Sequence, residues 1–95
     1  MFIVSLTYIS EISQIDKYLE AHIEYLDKNY EKGVFIASGR KVPRSGGVIL
    51  ANARNRSELE EIINDDPFKI HNLADYEVTE FVPTKSAPEF SSLIQ

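Results

Sequence analysis

The chain has 95 residues, a formal net charge of −5 and no cysteine, with 43% hydrophobic and 26% charged residues. This length supports one domain around one core, and the composition is that of a folded rather than a disordered chain. The missing cysteines exclude disulfides, thiolate zinc sites and cysteine nucleophiles. No apolar run approaches the ~20 residues of a membrane span, and the acidic balance argues against nucleic acid as the partner. The apolar N-terminus lacks the basic region and small-residue cleavage site of a leader. The expectation is a small cytoplasmic α+β domain, and composition names no substrate for it.

Residues 2–9 carry no charge and are rich in β-branched and aromatic types, which predicts a buried strand. Ser10 to Ser13 supplies turn and N-cap chemistry, with Ser13 and Asp16 spaced as a capping pair. From there to Lys32 the apolar period lengthens to about 3.6 residues. Ile12, Ile15, Leu19, Ile23 and Leu26 share one side, Asp16, Glu20, Glu24 and Asp27 the other, and Gly33 stands where a left-handed C-terminal cap belongs. Residues 34–40 and 47–52 read as two strands joined by a tight Pro/Ser/Gly connection. Ser57 to Glu60 reads as a capping box opening a short second helix, which Asp65, Asp66 and Pro67 stop. Residues 68–75 read as a loop, Tyr76 to Val82 as the last strand, and the segment after Pro83 as a partly ordered tail.

The order β-α-β-β-α-β is the ferredoxin-like arrangement, a four-stranded antiparallel sheet with two helices on one face. Its usual strand order makes the last strand an edge, where Glu77 and Glu80 discourage strand addition. The other strands carry apolar residues on both faces, yet two helices cover only one. The open face therefore predicts a homodimer packed sheet to sheet.

Three groups of residues could carry chemistry. His22 lies at the margin of the first helix's apolar stripe, with Tyr18 and Tyr25 within helical reach. A half-desolvated imidazole held in one orientation suits general acid–base work; a structural histidine bonded to a carbonyl or carboxylate is the alternative. Asp65 and Asp66 follow a helix C-terminus, where the dipole gives a carboxylate no support. One of them is free to partner His22 or an arginine, unless both serve only as turn residues before Pro67. Ser38, Gly39 and Arg40 end the second strand, and Lys41 and Arg44 follow. Glycine permits close backbone approach, and the clustered positive charge suits a carboxylate-bearing ligand. A Ser38–His22–Asp66 triad lacks the G-x-S-x-G elbow. His71 has no ligand-spaced partner, so neither a metal nor another cofactor is expected.

Taken in order, His22, Gly33, Ser38-Gly39-Arg40, Gly46-Gly47, Asp66-Pro67-Phe68 and the closing Glu80-Phe81-Val82-Pro83 resemble the YciI-like (YCII-related) family. The resemblance runs from Met1 to about Lys85, giving a domain over residues 1–85 and a tail over 86–95. It implies a ferredoxin-like fold of the dimeric α/β-barrel type and a site built on a histidine and an aspartate, here His22 and Asp66. One position departs from the family pattern: Arg40 stands where many members carry proline, which leaves the pocket's charge and ligand open. Fold analogy with muconolactone-isomerase-like enzymes and cofactor-free monooxygenases points to small cyclic or carboxylated compounds. Two functions follow. One is a cofactor-independent lyase or isomerase in which His22 moves a proton, Asp66 orients it, and Ser38, Gly39 and Arg40 hold the substrate. The other is a non-catalytic ligand-binding or assembly module in which the His–Asp pair is structural.

Overall fold

The computed structural model describes residues 1–94. Four strands, β1 (Phe2–Tyr8), β2 (Phe35–Arg40), β3 (Gly46–Ala51) and β4 (Ala74–Glu80), form one sheet in the order β2-β3-β1-β4. Every neighbouring pair is antiparallel. With α1 (Ile12–Glu31) between β1 and β2, and α2 (Arg56–Asn64) between β3 and β4, this is the ferredoxin-like α+β arrangement, with β4 at an edge.

The sheet alternates between a covered and an open face. Phe2, Val4 and Leu6 of β1 are buried with Ile49 and Ala51 of β3, and they meet Ile15 and Tyr25 of α1 and Leu59 and Ile63 of α2 in one core. On the opposite face Ile3 and Val48 stay 38% and 40% exposed. Burying a side chain of this size is worth roughly 1.5–3 kcal/mol, so the inward set fixes which face the helices take.

The helix ends differ in detail from the sequence reading. Helix α1 starts at Ile12 with Glu11 at the N-cap and no side-chain cap bond, so Ser13 lies inside the first turn. The apolar stripe begins at Ile12, and packing sets the start where capping does not. The cap of α2 is Asn55, whose side chain accepts from the Glu58 N–H, two residues before the expected Ser57. Gly33 takes a positive φ of 74° after α1, as a left-handed cap requires. Gly46 is needed for a different reason: a Cβ there would lie 1.8 Å from the Leu6 carbonyl oxygen.

The segment after α2 is not the expected loop. Pro67–Ile70 form one further helical turn, α3, with Asp66 at its N-cap and Pro67 in the first turn. Proline stops α2 and, with its fixed φ, starts α3. Strand β4 therefore begins at Ala74 and ends at Glu80, two residues earlier at each end than read from the sequence. Beyond it, Pro88–Leu93 form a short 3₁₀ segment with no buried residue. Among the described residues no helix is long and apolar enough to cross a membrane.

Candidate functional site

The expected site residues converge at one end of the sheet, and a register shift in β2 decides which of its side chains take part. Phe35 pairs with Ala51 and Ala37 with Leu50, so a bulge falls at Ile36. In a regular strand Ser38 and Arg40 would face away from Phe35. The bulge reverses the alternation. Ser38 now pairs with the inward-facing Ile49, and Arg40 with Gly47, the residue opposite inward-facing Leu6. Ser38 and Arg40 thus turn towards the helices.

There they border a cavity of about 200 Å³. His22 of α1 lines it together with Ser38, Gly39 and Arg40, and Leu6, Leu19, Leu26 and Phe68 supply apolar wall. Arg40 has no carboxylate partner among the described residues. The other two basic residues of the segment are engaged elsewhere. Lys41 donates to Thr7 Oγ1 at 3.1 Å, and Arg44 pairs with Asp16 at 2.6 Å. The positive patch expected from the sequence is therefore a single guanidinium at the cavity. Ser38 Oγ lies 2.6 Å from the Tyr30 hydroxyl, a contact not anticipated from the sequence.

One ring nitrogen of His22 is tied down. Its Nδ1 lies 2.8 Å from Asp66 Oδ1, with the His22 side chain 12% exposed and that of Asp66 fully buried. Asp65, the other aspartate considered, is exposed and ends α2. Asp66 accepts two further bonds, at Oδ1 from the Phe68 N–H (3.0 Å) and at Oδ2 from the Tyr76 hydroxyl (2.5 Å). Three donors from α1, α3 and β4 converge on a carboxylate that has no water to turn to, which is what keeps a buried anion tolerable.

This corrects one premise of the sequence reading. Asp66 does have a local helical duty, as the N-cap of α3, and the same Oδ1 serves the cap and the histidine. The duty was hidden because nothing in residues 68–75 reads as a helix without the turn that Pro67 starts.

The imidazole is also clamped by stacking. The Phe68 ring lies 4.1 Å away at 8°, and Tyr25 lies 6.0 Å away at 28°. Tyr18, the other expected neighbour, stacks on His71 instead, at 4.0 Å. Since an ionised carboxylate only accepts, Nδ1 carries the proton of the bond, and in neutral His22 Nε2 holds the lone pair. Nε2 has no hydrogen-bond partner among the described residues, and none of their buried polar side-chain atoms lacks one, so Nε2 keeps access to solvent. A base with one accessible lone pair, a fixed ring plane and a nearby guanidinium can take up and return a proton on a small bound molecule.

Tyr25 and Tyr76 frame the aspartate. Tyr25 donates to the Ile62 carbonyl at 2.9 Å. Burial, reinforced by the Asp66 charge, pushes both phenols well above their ordinary range. The sequence reading placed Tyr25 within reach of His22 but gave neither tyrosine a role beside Asp66; the alternation of β4 was the only signal for Tyr76. No group of three or more His, Asp or Glu among the described residues is arranged to hold a metal ion.

The fold has a counterpart among solved structures. A solved structure of 5-chloro-2-hydroxyhydroquinone dehydrochlorinase (TftG) from Burkholderia phenoliruptrix AC1100, in complex with 2,5-dihydroxybenzoquinone, is similar with a TM-score of 0.72. The match covers 85% of this chain and 93% of that one at 16% identity, which establishes a shared fold. No curated protein matches the sequence. The model of the YCII-related domain matches residues 1–82, a span that includes all four strands and all three helices. The chain belongs to the YCII-related domain family.

Proposed function

We propose that the protein is a cofactor-independent enzyme of the lyase or isomerase type, acting on a small cyclic or carboxylated compound. The observation that carries this reading is the buried Asp66 bond to His22 Nδ1, which leaves Nε2 as the accessible nitrogen of a histidine lining a cavity bordered by Arg40, a guanidinium unpaired among the described residues. In this reading Nε2 removes a proton next to a carbonyl or carboxylate. The developing oxyanion is held by Arg40 and Ser38, with Gly39 allowing close approach. Asp66 keeps the proton of the neutral ring on Nδ1 and stabilises the imidazolium. The proton is then returned at another position, or a leaving group departs from the neighbouring carbon with its electron pair. The cavity, about 200 Å³, has room for a small ring, and the fold neighbour is a dehydrochlorinase solved in complex with 2,5-dihydroxybenzoquinone, which supports cyclic substrates as the first class to try.

The test is a turnover screen with hydroxylated and carboxylated ring compounds, 5-chloro-2-hydroxyhydroquinone included. Absorbance and chloride release would be followed for the wild type and for His22→Ala. A reaction that falls on the order of 10²–10⁴-fold in the variant is the expected result. Turnover that survives His22→Ala would overturn the assignment of His22.

One observation favours a second reading. Asp66 caps α3 with the oxygen that meets His22, so the pair also fits a structural role in a ligand-binding or assembly module. That reading expects His22→Ala to lower stability or dimerisation, with no reaction to lose.

We further propose that the protein is a homodimer in which a second copy covers the sheet face bearing Ile3 and Val48. Two apolar residues on an otherwise uncovered sheet support it, and Val48 also borders the cavity, so this contact would reach the rim of the site.

A further inference from the structure

We propose that Tyr76 is a positioning residue for His22, holding Asp66 in the one orientation that keeps the histidine's proton on Nδ1. The inference rests on the His22–Asp66 reading above and extends it to a residue on the opposite side of the aspartate. Tyr76 lies on the edge strand β4, and its hydroxyl donates to Asp66 Oδ2 at 2.5 Å. Its ring is half-buried, with the Lys69 ammonium 5.5 Å from its centroid. The result is a continuous chain of bonds, Tyr76 to Asp66 to His22, from the edge of the sheet to the cavity.

The physical case is one of oxygen assignment. A carboxylate turns about its Cβ–Cγ bond unless both oxygens are held. Oδ1 of Asp66 is shared between the Phe68 N–H, which belongs to the backbone, and His22 Nδ1. Tyr76 is the sole donor to Oδ2 among the described residues. Without it, a fully buried anionic oxygen would lack any partner, and the group would turn to share the two remaining donors or draw water inward. Either response lengthens or bends the bond to Nδ1, and with it goes the preference that keeps the Nε2 lone pair at the cavity. Burial first, and then the charge of Asp66 beside it, raise the phenol pKa of Tyr76.

The test is ¹⁵N NMR of the imidazole nitrogens in wild type, Tyr76→Phe and Tyr25→Phe. The last removes a buried hydroxyl that bonds a backbone carbonyl instead of Asp66. Expected are an Nδ1-protonated ring with a slowly exchanging Nδ1 proton in wild type and in Tyr25→Phe, and loss of that proton signal with mixed tautomers in Tyr76→Phe. An unchanged pattern in Tyr76→Phe overturns the proposal. So does an equal change in Tyr25→Phe, because the effect would then be general loosening. A wild-type ring protonated on Nε2 removes the dyad itself and this inference with it. An Nδ1-protonated ring without turnover in the screen would count against the enzyme reading alone. Should Tyr76→Phe fail to fold, the Tyr76 hydroxyl proton in the wild type decides: a slowly exchanging, downfield hydroxyl signal is the expected result, and a hydroxyl proton in fast exchange with water overturns the proposal.

Discussion

At the scale of single residues, the site is organised by one aspartate with several duties. Asp66 caps a helix turn, orients a histidine and accepts from a phenol, all with its two oxygens buried. Asp66→Ala removes an N-cap worth ~1 kcal/mol and leaves buried donors unpaired at about 1–3 kcal/mol each, offset in part because a buried charge disappears. The expected net loss is about 2–4 kcal/mol in a urea unfolding experiment, with Asp66→Asn closer to wild type because the amide oxygen still accepts. A loss below about 1 kcal/mol would show that the three bonds contribute little beyond tolerating the charge. The tyrosines give a second expectation. Their folded-state pKa values are raised above the ordinary value near 10, so the folded protein retains protons that the unfolded chain releases. Stability from this source is complete below pH ~10 and falls above it, by roughly 1.4 kcal/mol per pH unit for each phenol. Denaturation at rising alkaline pH should show this slope, and Tyr25→Phe and Tyr76→Phe should each remove one share of it.

At the scale of elements, the four strands and the two longer helices were read correctly for type and less well for ends. The period-2 and period-3.6 patterns are long-range statements about which side chains share a face, and packing rewards them over whole elements. Capping depends on one or two bonds, and several Ser, Asn and Asp residues compete for each. Asn55 caps α2 although Ser57 offered the recognisable pattern. Asn55→Ala should therefore destabilise the protein by about 0.5–2 kcal/mol, whereas Ser57→Ala should stay within about 0.5 kcal/mol of wild type. Thermal or urea midpoints of the two variants check the assignment. Two local features escaped the sequence reading altogether: the bulge at Ile36 and the turn of α3. A bulge is one extra residue in a pairing register, and a register exists only once two strands have met. It nevertheless decides that Ser38 and Arg40 face the cavity.

At the scale of the whole molecule, the sheet has one covered and one open face, and the second-copy reading makes a direct prediction. Sedimentation should give about twice the chain mass for the wild type, and Ile3→Glu should shift it to the monomer while the far-ultraviolet spectrum stays unchanged. A charge directly beside an apolar sheet contact costs too much to bury without a partner. A wild-type protein that sediments as a monomer would sink the proposal. The sequence by itself determined the order of the four strands and two longer helices and, with them, the antiparallel sheet with β4 at its edge. These elements follow from periodicity and turn chemistry, which act over neighbouring residues; the family came from the resemblance of the ordered motifs. It also singled out His22, Ser38, Gly39 and Arg40 by residue type and spacing, and Asp66 through the family resemblance, with Asp65 left open as the partner. Only the tertiary structure decided that Asp66 rather than Asp65 meets His22, that among the described residues Arg40 alone of three basic side chains borders the cavity without a partner, and that Tyr76 closes the far side of the aspartate. Those contacts join residues 10 to 44 positions apart, and such pairs are selected by the packing of the layers, on which local sequence carries no information.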